Sequence, residues 1–411
     1  MLGKFLSISQ FFKKFKLIEN VSLLEIGPVT TNTIIAALQA ASEYDFPLFL
    51  IASRNQIDKD EFGGGYVHGW DQKRFVAGVK KLAEENGFPQ AIYFCRDHGG
   101  PWQRDEELNE ALAHGESLSR GKSSFFSDIE AGFDILHVDP TKNPFLKDSS
   151  DGIKVIIKDT VELIKAAEEK RKLLKMPEVS YEVGTEDIKG GLTQISKFKK
   201  FIAELKTHLQ NNGLPLPDMV VGQTGTLTKL DGNYGFFQPD TAAQLSGIAK
   251  ENRCLLKEHN ADYLDEETLK MHPVLGISTV NVAPEFGVAE TKSLIRLSYL
   301  SREGKKFRTR LKESVFSESR WQKWLPENLK DIAGMDFEKN PALSYKIMAS
   351  CGHYYIEKED VIKAKREMFR DISRIEGFEP EKEIINSIKQ SILKYVKAFN
   401  MTNLNKKLED S

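Results

Sequence analysis

Ala91-Ile92-Tyr93-Phe94-Cys95 runs directly into Arg96-Asp97-His98-Gly99-Gly100-Pro101. A short apolar, β-forming run that ends on charged residues and a glycine-proline turn reads as a buried strand that delivers polar side chains to one end. Seven further runs have the same texture, at 22–26, 47–51, 133–138, 179–183, 219–221, 253–257 and 277–282. Helical patterns lie between them at 31–43, 71–85, 105–131, 158–175, 192–211 and 240–250. Eight strand-then-helix units predict an α/β chain folded as a (β/α)8 TIM barrel. A doubly wound sheet is the alternative, because strand order is not written in one sequence.

After Pro284 the texture becomes charged and helical, at 288–315, 317–333, 358–374 and 379–398. The N-terminus, with Phe5, Leu6, Phe11, Phe12 and Phe15 among lysines, reads as an amphipathic surface helix, since no long apolar run or small-residue cleavage site follows. The expected organisation is an amphipathic segment at 1–20, a barrel at 21–290, a helical extension at 291–400 and a frayed tail at 401–411.

The chain has 411 residues, 40% of them hydrophobic, enough to bury a sizeable core. Lys and Arg total 58 against 60 Asp and Glu, so nucleic acid is not the expected partner. No run approaches the ~18 apolar residues of a membrane span. Cys95, Cys254 and Cys351 form no paired motif, which points to a reducing compartment and a cytoplasmic location.

In a barrel, active sites are built where the strands end. Here those ends carry Asp97-His98, His137-Val138-Asp139, Thr185-Glu186-Asp187 and His259-Asn260-Ala261-Asp262. Taken singly, a histidine or aspartate at such a place is more often a hydrogen-bonded loop anchor than a ligand. Several imidazoles and carboxylates aimed at one mouth are costly to desolvate without a balancing charge. Imidazole and carboxylate donors from separate strands suit a divalent cation, most simply Zn2+, and His98, Glu186 and His259 are the expected ligands. Gly63-Gly64-Gly65-Tyr66 lacks the lysine and spacing of a phosphate loop and reads as a turn.

The strand ends also resemble a known family. Asn55-Gln56 with Gly64-Gly65-Tyr66, Asp97-His98-x-Gly100-Pro101, Gly132-Phe133 with His137-x-Asp139, Ser180-Tyr181-x-x-Gly184-Thr185-Glu186, Gln223-x-Gly225 and His259-x-x-Asp262-Tyr263 carry the likeness. In order and spacing they resemble the Z-type subunits of D-tagatose-1,6-bisphosphate aldolase, the GatZ/KbaZ family, from about residue 45 to 290. The chain departs from that pattern at Gly99 and Trp102, at Glu182 in an apolar position, and at Val282-Ala283-Pro284-Glu285-Phe286-Gly287.

The resemblance implies a class II aldolase-like barrel that acts on a ketose or ketose phosphate of the tagatose or fructose type, by retro-aldol cleavage or 4-epimerisation through a metal-stabilised enediolate. Asp97 would move the C4 hydroxyl proton, and Asp139 or Asp262 would act as a second acid/base or orient a ligand imidazole. Asn55, Gln56, His137, Gln223 and Gly225 are the expected substrate contacts. A homo-oligomer is expected. The alternative is a non-catalytic chain that stabilises a class II aldolase catalytic subunit, in which the strand-end groups are structural.

Overall fold

Residues 6–146, 152–184, 192–329 and 340–411 are described by the structure, a computed structural model. Eight parallel strands close into a barrel: Leu23–Ile26, Leu48–Ser53, Ile92–Gly99, Ile135–Val138, Ser180–Gly184, Met219–Val221, Leu255–Glu258 and Ile277–Val282. Each pairs with its sequence neighbours, and the first strand pairs with the last, Leu23 opposite Thr279 and Ile26 opposite Val282. This closed parallel ring with alternating helices is the (β/α)8 barrel, and the doubly wound alternative is excluded because no strand edge is left open.

The helices begin and end on local signals. Thr30 accepts from the Thr33 amide to start Thr31–Tyr44, and Asp45 ends it in the left-handed region at φ 52°. Asp71 caps Gln72–Glu85 in the same way through Arg74. The expected helix at 105–131 is broken into Asp105–Asn109 and His114–Ala131. Glu266–Leu275, capped by Asp265, was not anticipated from the sequence, because it is short, has an acidic first turn and contains Pro273.

The amphipathic segment forms helix Ile8–Phe15, opened by a capping box between Ser7 and Gln10. Ile8, Phe11, Phe12 and Phe15 recur at helical spacing and are all buried. Phe11 lies 5.0 Å from the Phe49 ring and 5.3 Å from the Tyr93 ring, near the starts of strands two and three. The expected surface helix is therefore a plug under the floor of the barrel, and each fully buried large apolar side chain there contributes about 1.5–3 kcal/mol.

At the other end of the chain, helix Pro284–Ser298 follows strand eight as its barrel helix, so the expected boundary at 290 falls inside a single element. Helices Gly304–Phe316, Pro341–Cys351, Glu359–Ile372 and Pro380–Ala398 form the extension. The last of these packs against Thr31–Tyr44 and Pro284–Ser298, sealing the first and last helices of the ring. The described part of 317–333, expected to be a helix, holds instead the short 3-10 turn Arg320–Trp324, which precedes Pro326.

The tail, expected to fray, ends in helix Leu404–Asp410 with Leu404 and Leu408 buried. Lys14 Nζ donates to the Leu408 carbonyl at 2.6 Å, and the Ser22 amide donates to the Phe399 carbonyl at 3.1 Å. Apolar burial and these bonds hold the segment against the first strand. Among the described residues no helix is long and apolar enough to cross a membrane.

Candidate active site

Side chains alternate along a strand, so consecutive Asp97 and His98 should point to opposite sides. The register changes this. Arg96 pairs with Leu136 but Gly99 with Val138, so strand three has one more residue than strand four over that step. His98 takes up the extra residue in the left-handed region at φ 42°. A bulge of this kind re-aims side chains at a barrel rim, and here it lets Asp97 and His98 join one cluster.

His98 Nδ1 lies 2.6 Å from Asp139 Oδ2, and its amide donates to His137 Nδ1 at 3.2 Å. The His98 and His259 rings are 4.7 Å apart, and those of His98 and His137 5.1 Å apart. Donor atoms of Asp97, His98 and His259 lie within 4.8 Å of one another, as do those of His137, Glu182 and His259. Asn281 Nδ2 donates to Asp97 Oδ1 at 3.1 Å.

Beneath this rim the barrel interior is charged. Glu182 Oε1 is 3.2 Å from both His137 Nδ1 and His259 Nε2, while Glu182 Oε2 accepts from Lys257 Nζ at 2.8 Å. Lys257 also donates to Glu25 Oε2 at 2.6 Å, and all three of these charged side chains are buried. Burial opposes an ammonium here, but Glu182 and Glu25 outweigh it and hold Lys257 well above its usual range. Burial pushes Glu25 up to about 7 against the pull of Lys257, so Glu25 can take a proton near neutrality and relieve the second negative charge.

The same contest sets the rim groups. Burial alone would raise Asp97 and Asp139. Facing His98 holds both below the usual carboxylate range, with His259 and Lys257 assisting at Asp97 and a direct His98 hydrogen bond at Asp139. Burial lowers His137 despite Glu182 and Asp139 beside it. Its Nε2 is a buried polar atom with no hydrogen-bond partner among the described residues.

The structure therefore brings Asp97, His98, His137, Asp139 and His259 together. Glu186 lies outside the described residues. The other candidates bond to neighbouring segments of the chain. Asn55 exchanges hydrogen bonds with Asp105, at 3.1 Å to its amide and 3.3 Å to its carboxylate, and Gln56 Oε1 accepts from the Ser53 amide at 2.8 Å. The Gln223 amide donates to Thr193 Oγ1 at 2.7 Å. Gly225 sits at φ 100° where a Cβ would meet the Phe236 carbonyl at 2.1 Å, so close backbone approach requires glycine there. Asp262 Oδ1 accepts from the Glu285 amide at 2.8 Å, at the start of helix Pro284–Ser298. Gly65 passes against the backbone of Gln56, where a Cβ would meet the Gln56 carbonyl oxygen at 1.8 Å.

Glu25, Glu182, Lys257 and Asn281 were not anticipated as site residues. A signal for them existed in the sequence: each is a polar or charged residue inside an otherwise apolar strand, and a buried charge needs a partner across the barrel.

The donors fit a cation. Two imidazoles and a carboxylate match the ligand chemistry of a catalytic Zn2+ site. Each imidazole has one nitrogen engaged by a buried carboxylate, Asp139 for His98 and Glu182 for His259, the arrangement that orients metal-binding histidines.

Comparison with known proteins agrees with this architecture. A solved structure described as a probable tagatose 6 phosphate kinase from Sinorhizobium meliloti 1021 superposes with a TM-score of 0.74 at 16% identity, over 92% of this chain and 100% of that one. The fructuronate-tagaturonate epimerase UxaE from Cohnella laeviribosi superposes with a TM-score of 0.59 at 12% identity, over 93% and 82%. At these identities the likeness is one of fold. A search of curated proteins finds no match. The profile of the family described as D-tagatose-1,6-bisphosphate aldolase subunit GatZ/KbaZ-like matches residues 8–384, and the chain belongs to that family.

Proposed function

We propose that this chain is a metal-dependent carbohydrate enzyme that makes and breaks the C3–C4 bond of a tagatose- or fructose-type ketose or ketose phosphate, as an aldolase or a 4-epimerase. The observation that carries the reading is the close group of Asp97, His98 and His259, in which both imidazoles are backed by buried carboxylates. His98 and His259 would hold the cation, with Glu186 the expected third ligand. A cation so held supplies a fixed positive charge that polarises the substrate carbonyl.

The remaining work falls to the chain itself. Asp97, kept ionised by its imidazole neighbours and held by Asn281, is suited to take the C4 hydroxyl proton whose loss lets the C3–C4 bond break. The same group returns the proton after re-addition. Turning the aldehyde fragment before re-addition gives the 4-epimer, and its departure gives the aldolase outcome. Asp139 orients His98, and the buried Lys257 and Glu182 fix His259 from below.

The test is elemental analysis of the purified protein with incubation on fructose 6-phosphate, tagatose 6-phosphate and their bisphosphates. Triose or epimer formation and bound metal are expected, both lost in His98→Ala and His259→Ala with the fold intact. Unchanged metal content in both variants rejects the proposal. The word "subunit" in the family description favours a second reading, a chain that stabilises a class II aldolase catalytic subunit. That reading expects turnover only after mixing with such a subunit.

A further inference from the structure

Barrels commonly hold a substrate phosphate at the loops after strands seven and eight, where helix amides are exposed. Here that position is filled by the chain's own acids. The Glu285 amide at the start of helix Pro284–Ser298 is taken by Asp262, and the Glu285 carboxylate accepts from the Tyr263 amide at 2.5 Å and from Lys394 at 2.6 Å. An anion placed there would face two carboxylates.

The unsatisfied positive charge lies on the extension. The turn Arg320–Trp324 is fastened on one side to the loop after strand six, where the Leu230 amide donates to the Trp324 carbonyl at 3.1 Å. On the other side Lys323 Nζ reaches Asp105 Oδ2 at 2.8 Å, and Asp105 is bound to Asn55 beyond strand two. Asp105 follows strand three and Leu230 follows strand six, so the turn joins loops from two separate parts of the rim.

Arg320 sits on this turn with its guanidinium 5.1 Å from the Tyr354 ring and 5.8 Å from the Tyr66 ring. Among the described residues no carboxylate forms an ion pair with it. Glu318 is paired with Lys358 at 2.9 Å, and Asp105 with Lys323. Against burial, Lys323, Arg320 and Lys142 together hold the Asp105 carboxyl below its usual range. The Tyr66 amide donates to the Asn55 carbonyl at 3.0 Å, so the ring beside the Arg320 guanidinium is anchored to the loop after strand two.

We infer that Arg320, carried to the rim by the C-terminal extension and assisted by Lys142 and Lys323, binds the anionic terminus of the substrate, a phosphate or a carboxylate at the far end of the sugar. An arginine with aromatic faces beside it and no paired carboxylate is pre-organised for bidentate contact with either group. The inference rests on the carbohydrate reading of this site and adds a charge requirement to it.

Calorimetric titration of the purified full chain with fructose, fructose 6-phosphate and fructuronate tests it, since the three differ at C6 as neutral, phosphate and carboxylate. At least one charged sugar should bind about tenfold or more tightly than fructose. Arg320→Gln should remove most of that preference in a chain that circular dichroism shows to be folded, Arg320→Lys should restore part of it, and Lys142→Gln should reduce it by less. Which charged sugar gains separates a phosphate site from a carboxylate site. Equal binding of all three sugars, binding of none, or an undiminished preference in Arg320→Gln and Lys142→Gln overturns the inference. Titration reads binding without turnover, so loss of the metal proposal through His98→Ala would leave this result standing, and the reverse.

Discussion

Asp139 Oδ2 stands 2.6 Å from His98 Nδ1, both at strand ends and both drawn into the mouth. This pairing fixes which imidazole nitrogen is turned toward the cluster. Asp139→Asn keeps the size of the side chain but removes its charge, and under the proposed function it should weaken metal binding by roughly 10- to 100-fold, the usual cost of losing such a partner. Competition with a chelator measures it, and an affinity within twofold of the parent chain would show that the carboxylate does not orient His98.

Lys257 bridges Glu25 and Glu182 in the barrel interior. Lys257→Met leaves two carboxylates buried without their ammonium, and breaking a buried pair in this way costs about 3–5 kcal/mol. Denaturant unfolding at pH 7 should show that loss, with a smaller one at pH 5, where Glu25, already pushed up to about 7, is protonated. A loss below about 1 kcal/mol at both pH values would contradict the pairing.

Asp262 is pushed up to about 7, first by burial and then by the neighbouring Glu285. Its folded value lies above its unfolded one, so the folded chain binds the proton more tightly. The resulting stabilisation is complete below about pH 4 and is lost as pH rises through about 7. Asp262→Asn does not ionise and keeps an acceptor for the Glu285 amide. Melting curves should show the parent chain losing stability relative to the variant between pH 5 and pH 8, and parallel profiles would count against a protonated Asp262.

Phe11 packs on Phe49 and Tyr93 below the barrel. Phe11→Ala should cost about 3–5 kcal/mol of stability, the range for truncating a buried phenylalanine. Chemical denaturation reads this, and a change under 1 kcal/mol would mean that the plug contributes little to the folded state.

The eight strands were legible because each is an apolar run closed by a polar turn, and the first candidate cluster was legible because its members follow those runs. What the sequence hid was direction. Nothing in Arg96-Asp97-His98-Gly99 announces the extra residue that turns both Asp97 and His98 inward. Asp262 occupies the same kind of strand-end position as Asp139, yet it bonds to a helix start, because the amides of Pro284–Ser298 competed for it. Glu182 looked like a misplaced charge until Lys257 and His259 stood across from it. Pairings across a closed ring depend on strand order and tilt, which periodicity does not encode.

The turn from Arg320 to Trp324 also links two loops that are far apart in the sequence. Its ties run to Leu230 on one side and Asp105 on the other, so a change that loosens either loop is passed through the turn to its neighbour.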